Sequence, residues 1–482
     1  MPEAIWTSPE IAAATGGTAT AEFTSTGLSI DTRTLEPGEL FIALKDVRDG
    51  HDFVANAFGK GAAGALVSRQ VGEGPQIIVD DVMVALERLG VAARERAVEA
   101  HRVAITGSVG KTSVKEMVAR IFRAAGPAHW SVKSFNNHWG VPLTLARMPA
   151  ETKNAVFEIG MSTPGEIAPR SEMVLPHAGL ITKIAPAHLE GVGSIEGVAD
   201  EKSDIFTGLE EGGAIVLPAR DRFLTRLIEN ARRLAPTGVV VTFGHDREAF
   251  ARVAELDTDG KCTTVGVALM GEMVYTRIDA VGEHWADNAA AALLLACIQS
   301  GIRPGDAAEA LTGYAPPPGR GTAEMLTLPG GGAFMLIDDA YNANPESMRA
   351  ALASFAARPT SGRRIVALGE MREIGAASEA EHAALLKPVL ASGAEIVLTA
   401  GAGMEVLHSS LPGTIQAHHA VKADGLNEIL KNLLTDGDML LLKGSNASGM
   451  GTLAEHLRAY SRGEGGTVMG AARTAAMGSD AL

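Results

Sequence analysis

The sequence predicts an α/β protein made of more than one sheet-and-helix unit, and three observations carry that reading. Strand-like runs AVFEIG, GLITKIA, GAIVLP and GVVVTFG alternate with helical stretches up to about residue 314, the pattern of a mostly parallel sheet covered by helices. The apolar run at 102–106 passes through a glycine turn straight into an amphipathic segment. The break Ala315-Pro316-Pro317-Pro318-Gly319 then reads as a stiff connector. After it MLIDDA, RRIVALG, EIVLTA and DMLLLKG start a second alternation, that of a smaller doubly wound domain.

A chain of 482 residues exceeds the size at which one core stops growing, so two to four domains are expected. The blocks are placed at 1–97, 98–314 and 315–461, with 462–482 expected to be a disordered tail because it lacks periodicity. With 46% hydrophobic and 21% charged residues the composition is that of a globular protein. A formal net charge of -15 and the lack of any basic run exclude nucleic acid as the expected partner. The N-terminus lacks the basic-then-apolar pattern of a secretory signal, and the run from Ala289 to Ile298 is too short to cross a bilayer. Cys262 and Cys297 are read as small buried hydrophobes in a reducing compartment. A cytoplasmic protein without membrane insertion is the expectation.

Within AITGSVGKTSVKEMVARIF, the turn T-G-x-x-G-K-T spans Thr106, Gly107, Ser108, Val109, Gly110, Lys111 and Thr112 and leads through Ser113 into a helix. Val114, Met117, Val118, Ile121 and Phe122 share one face, and Gly126-Pro127 is the stop. Backbone N–H groups of such a turn, with the positive end of the helix dipole, surround phosphate oxygens. Lys111 supplies charge to the outer phosphates and the Thr112 hydroxyl is a Mg²⁺ ligand. ATP or GTP binding is the expectation.

Further along, Glu158 ends a buried-strand pattern, where an acid either faces the nucleotide's metal or is simply solvated. His188 and Lys202 follow in a glycine-containing stretch; each has a bland reading, loop histidine and surface lysine. Asn288 near the start of an Ala-rich helix has the donor and acceptor to read adenine, or caps the helix. IDDAYNANP at 337–345 ends a strand in polar residues, where ligands of open α/β sheets bind. Arg320, just past the connector, is placed to bring positive charge onto a γ-phosphate.

Taken in order, SIDTRTLEPGELF, TGSVGKTSVKEM, NNHWGVPLTL, EIGMSTPGEI, AHLEGVGSIEGVADEKSDIF, DDAYNANPESM, LGEMREIG and LLKGS resemble the Mur ligase family to about residue 460. TSVKEM and YNANP resemble the members that add a D-alanyl-D-alanine dipeptide. The resemblance implies a three-domain ligase: an N-terminal UDP-sugar domain, a central P-loop ATP domain and a C-terminal Rossmann-like domain. ATP would phosphorylate the free carboxylate of UDP-N-acetylmuramoyl-tripeptide, and the amine of D-Ala-D-Ala would attack the acyl phosphate, in peptidoglycan precursor synthesis.

By resemblance, two Mg²⁺ ions are held by Thr112, Glu158, His188 and Lys202, the last as a carbamylated lysine. Asn288 and Asp338 contact adenosine, Arg320 contacts a phosphate and Tyr341 also belongs to the ATP site, while Ser29, Asp31, Thr32, Arg33, Asn136, Asn137 and Ser162 bind the muramyl substrate. A monomer is expected. His284-Trp285 and Lys443-Gly444-Ser445-Asn446 depart from the family's usual His-Asn and Lys-Gly-Ser-Arg. The alternatives are a sister muramyl or folylpolyglutamate-type ligase and, in another class, a P-loop ATPase switch.

Overall fold

The computed structural model describes residues 3–132, 134–186 and 189–464, so His188 and the tail from 465 lie outside the described residues. Its main sheets follow one another along the chain. In the first, β1 (Thr18–Ala19), β2 (Gly27–Ser29), β3 (Glu39–Ile42), β4 (Gly64–Val67) and β5 (Gln76–Ile78) take the order β1-β5-β4-β3-β2. The following helix α1 (Val82–Arg96) is capped by Asp81, whose carboxylate accepts from the Met83 and Val84 N–H groups.

The second sheet contains β6 (His101–Thr106), β7 (Ala128–Trp130), β8 (Asn154–Glu158), β9 (Ala178–Ile181), β10 (Ala214–Pro218), β11 (Val239–Gly244), β12 (Ala251–Thr258), β13 (Thr263–Leu269) and β14 (Glu272–Ile278). Their order is β14-β13-β12-β11-β10-β9-β6-β8-β7. Strand β6 sits among neighbours on both sides and is apolar on both faces, Val103 and Ile105 joining one core and Ala104 the other. Helices α2 (Lys111–Ala125), α3 (Gly140–Ala146) and α4 (Ile195–Ser203) cover it along with α5 (His284–Cys297), whose alanines allow close packing against α2.

One expectation, the burial of Cys262, is corrected here. The sheet is mostly parallel as expected and continues into the antiparallel pairs of β12, β13 and β14. The turn between the last two is Met270-Gly271, with φ of 51° and 84°, the conformation of a two-residue hairpin. Cys262 is only partly buried, at the β12–β13 turn, where its thiol approaches Asp259 at 3.4 Å. Cys297 is buried as expected, and both are free thiols.

Helix α1 packs beyond its own block: Leu86, Leu89 and Ala93 share a core with Leu143 and Ala146 of α3. Gly90 lies so close to the Pro142 carbonyl that an added Cβ would stand 3.0 Å from its oxygen. The last sheet comprises β15 (Thr322–Thr327), β16 (Ala333–Asp339), β17 (Arg364–Gly369), β18 (Ile396–Ala400), β19 (Gln416–Ala420) and β20 (Met439–Lys443), in the order β15-β16-β20-β17-β18-β19. Only the β15 edge runs antiparallel to its neighbour. Helices α6 (Pro345–Ala356) and α7 (Met450–Ser461) lie on opposite faces, contributing to separate cores. Among the described residues no helix is long and apolar enough to cross a membrane.

Candidate active site

The carboxyl ends of β6, β8 and β9 face those of β16 and β20 across a cleft of about 430 Å³. Parallel sheets bind ligands at such ends because loops and helix N-termini gather there. Gly107 has φ 145°, and a Cβ on it would overlap the Thr182 hydroxyl, so only glycine fits. Gly110 has φ 84° and precedes α2. The turn is pinned from β9: Ser108 N–H donates to the Lys183 carbonyl at 2.8 Å, Ser108 Oγ to Ala185 at 2.9 Å, and Thr182 Oγ1 to Val109 at 2.5 Å. Thr106 ends β6 beneath it, with its hydroxyl buried and without a partner among the described residues.

Lys111 Nζ donates back to the Gly107 carbonyl at 2.7 Å. Burial holds its pKa below the ordinary lysine value, a shift that Glu158 opposes. Thr112 Oγ1 lies 2.9 and 3.1 Å from the two Glu158 oxygens, and Asn136 Nδ2 donates to Glu158 at 2.8 Å. Glu158 is 1% exposed, which rules out the solvated reading. Ser134 Oγ stands 3.3 Å from Thr112 Oγ1. Hydroxyl and carboxylate oxygens therefore converge as a hard cation requires. Among the described residues no three His, Cys, Asp or Glu side chains cluster around a metal-sized space.

Lys202 is fully buried on α4 instead of solvated in its acidic stretch. Its neighbours are engaged elsewhere: Asp200 pairs with Arg226, and Glu201 accepts the Gly165 N–H. Burial first, and then the charge of Lys111, push the Lys202 pKa far down.

From the last sheet, Arg320 Nη2 donates to Thr112 Oγ1 at 2.9 Å and to Ser134 Oγ at 3.3 Å, while its guanidinium lies 4.0 Å over the Tyr341 ring. Lys183 pairs with Glu346 across the cleft. Asp338 turns away: it bonds Arg458 of α7 at 2.8 Å and does not line the cleft. Consecutive strand residues point to opposite faces, which sets Asp338 apart from its neighbour. The cleft-facing acid is Asp339, 2.9 Å from Lys443 Nζ. Burial raises the Asp339 pKa against the pull of Lys443.

Asn288 lies beside the phosphate loop, where a Cβ on Gly110 would come 2.8 Å from its Oδ1. Trp285 is buried with its ring 5.0 Å from that of His284. Burial first, then Lys443 and Lys183, bring the His284 pKa down to about 4. Asn137, Ser162, Ser113 and Asn446 line the cleft. Asn137 Oδ1 also accepts the Gly140 N–H at the start of α3.

Ser29, at the end of β2, and Asp31, Thr32 and Arg33 in the turn after it lie outside this cleft. There Arg33 pairs with Asp31 at 2.6 Å, and Lys60 donates to the Thr32 carbonyl. Sequence reasoning missed Asp339, Lys443, Lys183 and the His245–Asp287 pair at 3.7 Å. The Asp338-Asp339 doublet held a signal for the first of these, since only one of two neighbours on a strand faces a given side.

Residues 105–296 match the Mur ligase middle domain, and residues 324–446 match the Mur ligase, glutamate ligase domain. The UDP-N-acetylmuramoyl-tripeptide--D-alanyl-D-alanine ligase of Escherichia coli (strain K12) is 34% identical over 450 residues, covering 89% of this chain and 93% of that protein. The like-named protein of Rickettsia prowazekii (strain Madrid E) is 30% identical over 444 residues, covering 92% and 97%. A crystal structure of MurF from Acinetobacter baumannii superposes with a TM-score of 0.82 at 28% identity, covering 95% of this chain and all of that one. The chain belongs to the Mur ligase family.

Proposed function

We propose, on the premise that the chain is a Mur ligase, that it joins D-alanyl-D-alanine to UDP-N-acetylmuramoyl-tripeptide and converts ATP to ADP and phosphate. The observation that carries this is the meeting of Arg320 with Thr112 and Glu158 in one cleft. A phosphate loop on one sheet and a guanidinium from another enclose a place where a γ-phosphate and an acceptor carboxylate can be held together despite their repulsion. The division into a UDP-sugar domain (1–97), an ATP domain (98–314), a ligase domain (315–461) and a tail (462–482) goes with this reading.

Making an amide in water needs an activated carboxylate. Residues Thr106 to Ser113 hold the ATP phosphates, Lys111 turning from the Gly107 carbonyl to the outer phosphates and Arg320 bearing on the γ-phosphate. A carboxylate oxygen of the tripeptide forms a bond to the γ-phosphorus as the bond to the β,γ-bridging oxygen breaks, giving an acyl phosphate and ADP. The dipeptide amine, having lost its ammonium proton to solvent, attacks the carbonyl carbon; the C–O bond to the phosphate breaks, and inorganic phosphate leaves with the second proton given up by the nitrogen. The cleft walls keep water from the acyl phosphate. Asn136, Asn137 and Ser162 orient the tripeptide end, and Ser29, Asp31, Thr32 and Arg33 take the UDP-sugar.

Mg²⁺ supplies neutralisation of the charge that gathers on the phosphates. Thr112 and Glu158 offer it oxygen ligands, and His188 and Lys202 as a carbamate would complete the set for a second ion. Burial that pushes the Lys202 pKa well below the ordinary lysine value favours this, since only the neutral amine adds to CO₂, forming an N–C bond and releasing a proton. Function as a cytoplasmic monomer is part of the proposal. Phosphate release is expected to need ATP, Mg²⁺, UDP-N-acetylmuramoyl-tripeptide and D-Ala-D-Ala together. Release at the same rate without the dipeptide overturns the ligase reading.

A further inference from the structure

Arg358 stands just beyond the end of α6 and is 7% exposed, yet its side chain donates to no other described residue, and Nε is sealed from solvent without a partner among the described residues. A buried guanidinium has five donors and normally finds carboxylates or carbonyls for them. Its backbone is held firmly, since Arg364 donates to the Phe355 carbonyl at 2.8 Å and to that of Arg358 at 2.6 Å. The end of this helix thus already has a side-chain cap in Arg364. The side chain lines the cleft together with Ser354 and Phe355.

The position along the cleft follows from a chain of near contacts. Asn288 adjoins Gly110 at the phosphate loop. One turn earlier on α5 is His284, and a Cβ on neighbouring Gly282 would lie 2.7 Å from the His284 ring and overlap the Ser354 hydroxyl. That hydroxyl too is buried without a partner among the described residues. Arg358 follows Ser354 by four residues on the face turned toward the second sheet, and Pro359 next to it packs on Gly260 of the β12–β13 turn. The unsatisfied donors thus stand at the end of the cleft away from the phosphates. Asp287 and His245 line the cleft as well.

We propose that Arg358 is a base-recognition residue whose guanidinium donates to a ring nitrogen of the adenine of bound ATP. The proposal rests on the ATP reading above. Adenine presents acceptors at N1, N3 and N7, and a buried donor without a protein partner gains a full charge-assisted hydrogen bond from one of them. Recognition by a residue of the last block would seat the base, like the phosphates, between the two sheets that bound the cleft.

Calorimetric titration of the full chain with Mg²⁺ and ATP, 1-deaza-, 3-deaza- or 7-deaza-ATP tests this. One deaza analogue is expected to bind wild type about 10- to 100-fold more weakly than ATP. In Arg358→Met, ATP itself weakens by that factor and the penalty on the analogue disappears, while Arg358→Lys recovers part of the affinity. Thermal unfolding checks the fold of each variant; if Arg358→Met does not fold, the wild-type analogue series and Arg358→Lys decide. Equal binding of all three analogues by wild type overturns the proposal. So does a penalty that persists in Arg358→Met, or a variant whose changed sensitivity is to 2′-deoxy-ATP instead. Wild type that binds no ATP overturns the ATP reading itself.

Discussion

Arg320 Nη2 and Thr112 Oγ1 are 2.9 Å apart although 208 residues separate them in the chain. The arginine comes from the segment leading into the last sheet, and the threonine opens the helix after the phosphate loop. Stacking on Tyr341 at 4.0 Å fixes the guanidinium plane, so its charge is aimed before any nucleotide arrives.

Arg320→Met is expected to lower kcat by about 10²- to 10³-fold, as for the loss of one preorganised donor at a centre of developing charge. Tyr341→Ala, which frees the guanidinium but keeps it, should cost less. Steady-state phosphate release checks both. Equal losses in the two variants would mean that Arg320 acts only by holding the cleft together.

Lys202→Ala should lose nearly all ligase activity, and a small carboxylate at high concentration should restore part of it by occupying the vacated space. Lys202→Arg keeps a positive charge but cannot form the same carbamate, so it should be as inactive as alanine. Activity retained in the arginine variant would remove the carbamate role.

Asp339 and Lys443 form an ion pair in which the lysine is 2% exposed. Lys443→Met should destabilise the protein by about 3 kcal/mol or more, because it strands a partly buried carboxylate. Asp339→Asn combined with Lys443→Met should recover much of that loss. Urea unfolding of both single variants and the double variant gives the coupling directly.

Stability should fall on acidification below about pH 6.5. Burial holds His101, His129 and His284 at about 4 in the folded chain. The unfolded state, with ordinary histidines near 6.5, therefore binds more protons between those values, and stability drops as pH falls through the window. Asp204 has the opposite sign. Burial raises it to about 6, so the folded state binds its proton first and gains stability from pH 6 down to about 3.8. Urea midpoints at pH 7 and 4.5 should show the histidines prevailing. The decline should steepen in Asp204→Asn and flatten in His129→Phe.

Much of the phosphate end was legible because its constraints are local. A glycine at φ 145° beneath Thr182, a lysine and a threonine opening a helix are set by spacing within a few residues. Glu158 was legible as a strand end, but its burial was not, because that depends on Thr112 and Asn136 closing over it. Lys202 was legible only through resemblance; on spacing alone it is one lysine among acids. The antiparallel strands from 251 to 278 escaped notice because their alternation is interrupted by polar and glycine positions. His188 lies outside the described residues, so its place as a ligand stays with the proposed function.

By itself the sequence determined the α/β class, the phosphate-binding turn and the family, since each is written in short motifs whose backbone geometry is local. Tertiary structure alone decided which charges face one another. Strand register turned Asp339 into the cleft and Asp338 to Arg458, and packing of α4 placed Lys202 near Lys111 and away from water. Such pairings depend on long-range register and on the approach of separate sheets. A change of one residue along a strand reverses the face that a side chain presents.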